Sequence, residues 1–151
     1  MKIDISRVLC PTDFSESADY ALDYALCIAS KHKARVELLH VAENSAYASD
    51  AVNDQGQTYD DTLRDRLQAI ADSKAHPGIS ITVSVVDGID YIEIVNRATA
   101  WPADLIVLGT HGRTGMKRLL IGSVSERVVR TAPCPVCTVR HPSHVLENDK
   151  T

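Results

Sequence analysis

Glycines and a serine stand at the spacing of an anion-binding loop in the second half of the chain. Gly109 and Gly112 directly follow the apolar run 105–108. Nine residues separate Gly112 from Gly122, and Ser123 then opens a segment with helical periodicity. Glycine lets backbone N–H groups approach a ligand closely, and the free N–H groups at a helix start favour a phosphate. The spacing therefore predicts a phosphate cradle between a strand and a helix.

Simpler interpretations of this loop remain. The glycines would then serve only as turns, and Ser123 would cap the helix through its own hydroxyl. The loop matches neither a P-loop nor a dinucleotide-binding fingerprint. It also carries His111, Arg113, Lys117 and Arg118. Together these basic groups would offset polyphosphate charge, although each one alone is typical of a solvated surface loop.

Asp13 is a second candidate ligand, because it directly follows the first predicted strand. Its carboxylate would accept hydrogen bonds from a ribose or a base edge. Alternatively, Asp13 and Glu16 form a capping box, although Ser15 is placed to cap the helix instead. Val41 ends the second predicted strand and would offer only its backbone groups to an adenine edge.

Strands and helices alternate along the chain. The predicted strands cover 7–10, 36–41, 79–86, 105–108 and 135–140. Three of the predicted helices cover 15–33, 59–76 and 123–131. Another lies between the third and fourth strands, where Ile92, Val95 and Ala98 form its apolar line and Pro102 ends it. This order predicts an α/β fold, a single open and mainly parallel five-stranded sheet with helices on both faces. Ligands bind such sheets at the carboxyl ends of the strands, where strand order reverses.

Composition places the chain in a broad class. A length of 151 residues predicts one domain, which we place at 1–142, followed by a flexible tail at 143–151. The net charge of −4 gives no reason to expect nucleic acid as a partner. No apolar run reaches the length of a membrane span, and the polar N-terminus does not fit a signal peptide. We therefore expect a cytoplasmic protein with no membrane partner.

The four cysteines are predicted to be thiols rather than a disulfide framework. Cys134 and Cys137 have the C-x-x-C spacing of redox and metal sites. Neighbouring prolines favour an extended segment, however, in which residues three apart face opposite sides. Buried thiols are therefore the favoured interpretation, and Cys10 and Cys27 are predicted to be small core residues.

Taken together, these motifs resemble the universal stress protein family. The similarity covers nearly the whole chain, from VLCPTDFS at 8–15 to PCPV at 133–136. The nucleotide-binding branch of that family carries G-x-x-G-x9-G-[ST], matched here by Gly109, Gly112, Gly122 and Ser123. The resemblance implies strand order 3-2-1-4-5, bound ATP with or without Mg²⁺, and a homodimer formed through Val136–Arg140.

The resemblance also implies which residues contact the nucleotide. They are Pro11, Thr12, Asp13, Val41, Gly109, Thr110, His111, Gly112, Arg113, Gly115, Gly122, Ser123, Val124 and Ser125. Replacing Gly122 by valine is expected to abolish nucleotide binding while leaving the fold intact, because the new side chain would occupy phosphate space.

The implied function is that of a small ATP-binding protein acting as a nucleotide-responsive switch in stress response. A slow ATPase or self-phosphorylating enzyme is the alternative, and it needs a water-orienting base, for which His111 and Asp13 are weak candidates. A third possibility is a partner-binding module whose nucleotide site is empty or differently occupied. We assign no catalytic residue and no metal ligand.

Overall fold

The computed structural model describes residues 1–43, 51–111 and 121–144. Within them, strands and helices alternate as the sequence predicts. The strands are β1 (Arg7–Pro11), β2 (Arg35–Ala42), β3 (Ile81–Asp87), β4 (Leu105–Gly109) and β5 (Val136–Val139). The helices are α1 (Glu16–His32), α2 (Tyr59–Ser73), α3 (Asp90–Ala100) and α4 (Ser123–Thr131). A short 3₁₀ helix, Pro142–His144, follows β5.

The five strands form one parallel sheet in the order β3-β2-β1-β4-β5. Both the α/β class and the strand order are thereby confirmed. Beyond β1 the chain adds β2 and β3 on one side, then crosses to add β4 and β5 on the other. The strand order therefore reverses between β1 and β4, and their carboxyl ends flank the crevice where ligands of such sheets bind.

Helices cover both faces of the sheet. Helices α1 and α2 pack on one face, where the buried alanines of α1 let it lie close to the strands. Helices α3 and α4 pack on the other, against a cluster that includes Leu39 and Ile106. Ser15 caps α1, its Oγ accepting the Ala18 N–H at 3.2 Å, as the sequence predicts. Lys33, in the left-handed conformation, ends the helix.

A buried ion pair ties α3 to the sheet. Arg97 Nε and Nη2 donate to the two carboxylate oxygens of Glu37 at 2.9 and 2.7 Å. The Glu37 side chain is only 4% exposed, whereas that of Arg97 is 34% exposed. The hydrogen bonds to Glu37 raise the pKa of Arg97, so its guanidinium group stays charged.

Some details of the sequence prediction are wrong. Helix α2 ends at Ser73 and β3 begins at Ile81, so both elements are shorter than expected at those ends. In α3 the buried line is Ile94 and Ala98, and Ile92 is exposed. Cys27 is exposed as well, although Cys10 lies in the core as predicted.

The C-x-x-C pair behaves as the proline argument predicts. Cys137 packs against the core on the α1 side of the sheet and Cys134 against the core on the α3 side. Both cysteines are free, but they are only partly buried, so the expectation of buried thiols at these two positions is wrong. Burial is the main cause that raises the pKa of Cys134, which disfavours the reactive thiolate.

Candidate functional site

The turn between β1 and α1 is held by its own hydrogen bonds. The Thr12 N–H donates to the Leu39 carbonyl at 2.8 Å, and the Phe14 N–H donates to Thr12 Oγ1 at 3.1 Å. Asp13 Oδ1 accepts the Ser15 N–H at 3.0 Å. The helix cap is therefore Ser15, and the Asp13 carboxylate is fixed two residues earlier, at the carboxyl edge of the sheet. Pro11, the last residue of β1, is buried.

The end of β4 is joined directly to the start of α4. The Gly122 N–H donates to the Thr110 carbonyl, and Ser125 Oγ donates to the Gly109 carbonyl at 2.6 Å. The Thr110 N–H in turn donates to the Val139 carbonyl of β5 at 3.0 Å. The fourth strand thus places the first turn of α4 at the same edge of the sheet as Asp13.

Two glycines of the motif lie against backbone atoms. A Cβ added at Gly109 would stand 3.0 Å from the Ser17 carbonyl group, so glycine lets β4 approach α1 closely. A Cβ added at Gly122 would stand 2.9 Å from the Thr110 carbonyl oxygen. This contact argues against the expectation that Gly122→Val leaves the fold intact, because the new side chain meets the main chain of Thr110.

The start of α4 also differs from the expectation. Gly122 is the N-cap residue and has no side-chain acceptor to offer the first-turn amides. Ser123 is the first helical residue and is exposed, so it does not cap the helix as considered above. Val124 is half-buried and packs on the α3 side of the sheet, while Ser125 is buried.

His111 was expected in an exposed basic loop and is instead only 5% exposed. Its Nδ1 lies 2.9 Å from Thr110 Oγ1, and Thr110 is buried to the same extent. This pair extends the core beyond the end of β4. The remaining loop residues predicted to bind an anion lie outside the described residues: Gly112, Arg113, Gly115, Lys117 and Arg118.

Val41 lies near the end of β2, opposite Val86 of β3, and is half-buried against the core on the α3 side. Its neighbour His40 was missed by the sequence analysis. His40 Nδ1 lies 2.8 Å from the Thr12 carbonyl, and the ring of His40 contacts that of Phe14. The available signal was a histidine at the carboxyl end of the otherwise apolar stretch 38–42.

A cavity of about 450 Å³ lies beside the start of α1. Its lining includes Thr12, Phe14, Tyr20 and His141, but none of the residues Gly109, Gly122 and Ser123. In the described part of the chain, acidic, histidine and cysteine side chains form no group suited to a metal ion, and no helix is long and apolar enough to cross a membrane.

A five-stranded parallel sheet whose strand order reverses between β1 and β4, with helices on both faces, defines a doubly wound α/β protein. Comparison with known proteins narrows the class. Residues 5–140 match the model of the universal stress protein family. The chain belongs to that family, so the resemblance seen in the sequence is confirmed.

Individual relatives agree with this assignment. The chain is 32% identical to universal stress protein MJ0531 of Methanocaldococcus jannaschii, over 90% of this chain and 82% of the relative. The solved structure of MJ0577, from the same organism, is 30% identical, covers 91% of this chain and 96% of its own, and superposes with a TM-score of 0.77. A universal stress protein solved in complex with cAMP is 24% identical, with a TM-score of 0.63 over 89% of this chain and 97% of its own.

Proposed function

We propose that this protein binds an adenine nucleotide, ATP in the first instance, at the crevice between β1 and β4. The observation that carries the proposal is the joining of β4 to α4 by the bond from the Gly122 amide to the Thr110 carbonyl. That bond brings the amide-rich start of a nine-residue helix to the carboxyl edge of the sheet. Gly122, as the N-cap, leaves those amides without a side-chain acceptor of its own.

The rest of the crevice supplies complementary chemistry. Asp13 stands on the opposite wall, oriented by the Ser15 amide, and a carboxylate there suits the hydroxyls of a ribose. We assign the backbone groups of Val41 to the adenine edge. A protein of the same fold was solved in complex with cAMP. Because that protein is only 24% identical to this chain, it supports a likeness of fold alone. We assign the phosphates to the α4 side and the sugar to the Asp13 side.

Within the cell, we propose that the bound nucleotide makes this protein a switch in stress response. Two copies would associate through β5, an edge strand that pairs only with β4 among the described strands. The nucleotide would then favour one state of the assembly over another, which requires different affinities in the two states. Cytoplasmic location belongs to the same proposal.

Nucleotide titration tests the binding proposal. Purified protein is stripped of nucleotide and titrated calorimetrically with ATP, and the bound fraction is identified by chromatography after hours of incubation. Retained intact ATP is the expected result. Accumulating ADP would favour the slow ATPase instead, and no measurable uptake of ATP would refute the proposal.

The Asp13→Ala variant tests the orientation of the ligand. Loss of a charged hydrogen bond should weaken ATP binding by about 1–3 kcal/mol, while the affinity for inorganic tripolyphosphate should stay unchanged. Asp4→Ala is the matched control, because Asp4 is exposed near the N-terminus, ahead of β1. Equal losses of ATP and tripolyphosphate affinity would contradict the placement of the sugar beside Asp13.

A further inference from the structure

The carbonyl of Thr12 is held by a side chain from the neighbouring strand. His40 lies on β2, and its Nδ1 is 2.8 Å from the Thr12 carbonyl oxygen. Because a carbonyl only accepts hydrogen bonds, the proton of this bond is on Nδ1. The Thr12 N–H already donates to the Leu39 carbonyl. Both backbone groups of Thr12 are therefore tied to β2, immediately before Asp13.

Phe14, two residues after Thr12, is held by the same histidine. Its φ of 65° lies in the left-handed region, which is uncommon for a residue with a side chain and persists only where the surroundings hold it. The centroid of its ring lies 4.5 Å from that of His40, and the Arg66 guanidinium carbon lies 3.9 Å from the ring centroid. These contacts keep the turn in a conformation that the chain alone would rarely adopt.

We propose that His40 is a positioning residue for the nucleotide site. Its Nδ1–H fixes Thr12 on one side of Asp13, and its ring contacts Phe14 on the other. The Asp13 carboxylate, which accepts the Ser15 amide, is thereby presented to the sugar in a single orientation. The inference rests on the proposed function, since it assigns His40 a role in recognition of the adenosine part and none in binding the phosphates.

Two substitutions separate the hydrogen bond from the ring. His40→Phe keeps a ring beside Phe14 but removes the donor, and His40→Asn keeps an N–H at the same distance from the backbone. Loss of one positioning bond should weaken ATP binding about five- to tenfold in His40→Phe. His40→Asn keeps that bond and loses only the ring contact with Phe14, so its ATP affinity should lie between those of His40→Phe and the wild type. Tripolyphosphate affinity should be unchanged in both variants.

His32→Asn serves as the matched control, because His32 is exposed at the far end of α1. Thermal unfolding is measured for every variant, so that a loss of affinity is compared at equal folded fraction. Unchanged ATP binding in folded His40→Phe would overturn the inference while leaving the proposed function standing. Equal losses in both variants, or a parallel loss of tripolyphosphate binding, would overturn it too. Failure of the wild type to bind ATP would instead refute the proposed function, and the inference with it.

Discussion

Replacing Gly122 by alanine is the most direct test of how the α4 end of the site is built. The backbone of Gly122 has φ −72° and ψ 164°, which any residue adopts, so the substitution introduces no dihedral strain. The added Cβ, however, would stand 2.9 Å from the Thr110 carbonyl oxygen. That oxygen is also the acceptor of the Gly122 N–H. Relief of the contact must therefore stretch or break the bond that joins β4 to α4.

The expected cost follows from these contacts. Crowding a packed site by one carbon costs about 1–3 kcal/mol, and a weakened hydrogen bond adds about 1 kcal/mol. The reduced freedom of the unfolded chain returns about 0.4–1 kcal/mol. The net loss in free energy of unfolding is therefore about 2 kcal/mol. For a chain of this length, the loss should lower Tm by about 4–8 °C.

Thermal and denaturant unfolding of Gly122→Ala, together with ATP titration, measure both consequences. We expect ATP affinity to fall with stability, because the first-turn amides move with the displaced helix start. Ser123→Ala is the control for stability, since Ser123 is exposed and caps nothing. A Gly122→Ala protein as stable as the wild type would refute the reasoning, because Thr110 would then have room to accommodate a side chain.

Three further outcomes follow from the described contacts. Arg97→Met should destabilise the fold by about 3–5 kcal/mol in urea unfolding, because Glu37 is left buried and unpaired. Glu37→Leu should cost less, since the one-third exposed Arg97 can turn to water; the reverse order would contradict this. Alternation along β5 points the Thr138 N–H away from β4. The proposed dimer through β5 therefore predicts monomers for Thr138→Pro and dimers for Thr138→Val by light scattering. Dimers of Thr138→Pro would exclude this edge. Burial raises the pKa of Cys10 to about 12, so at pH 9, where unfolded thiols ionise, a thiol reagent should label Cys27 and spare Cys10 until the chain unfolds.

The sheet was predictable because its signals are local. Short apolar runs alternate with helical periodicities, and a parallel sheet with right-handed crossovers leaves few arrangements. The errors about single side chains come from reading residue type without helical phase. Cys27 stands two positions after Ala25 and Ile92 two before Ile94, which is about 200° around each helix from the buried face. Their position around the helix, rather than their apolar character, therefore determines that both side chains are exposed.

The details of the site depend on contacts that no short stretch of sequence contains. His111 looks like one more basic loop residue, yet it is buried beside Thr110. The requirement for glycine at Gly109 arises from Ser17, 92 positions earlier by residue number, where α1 crosses the end of β4. Such constraints arise only when distant segments pack together. The crevice at the carboxyl ends of β1 and β4, in contrast, follows from strand order alone.

Thr110 links two elements of the fold through its backbone hydrogen bonds. Its amide is bonded to the outermost strand through the Val139 carbonyl, and its own carbonyl receives the Gly122 amide. The two backbone groups of this single residue therefore connect the start of α4 to β5. A substitution that shifts the Thr110 backbone is accordingly expected to disturb the outermost strand and the first turn of α4 together.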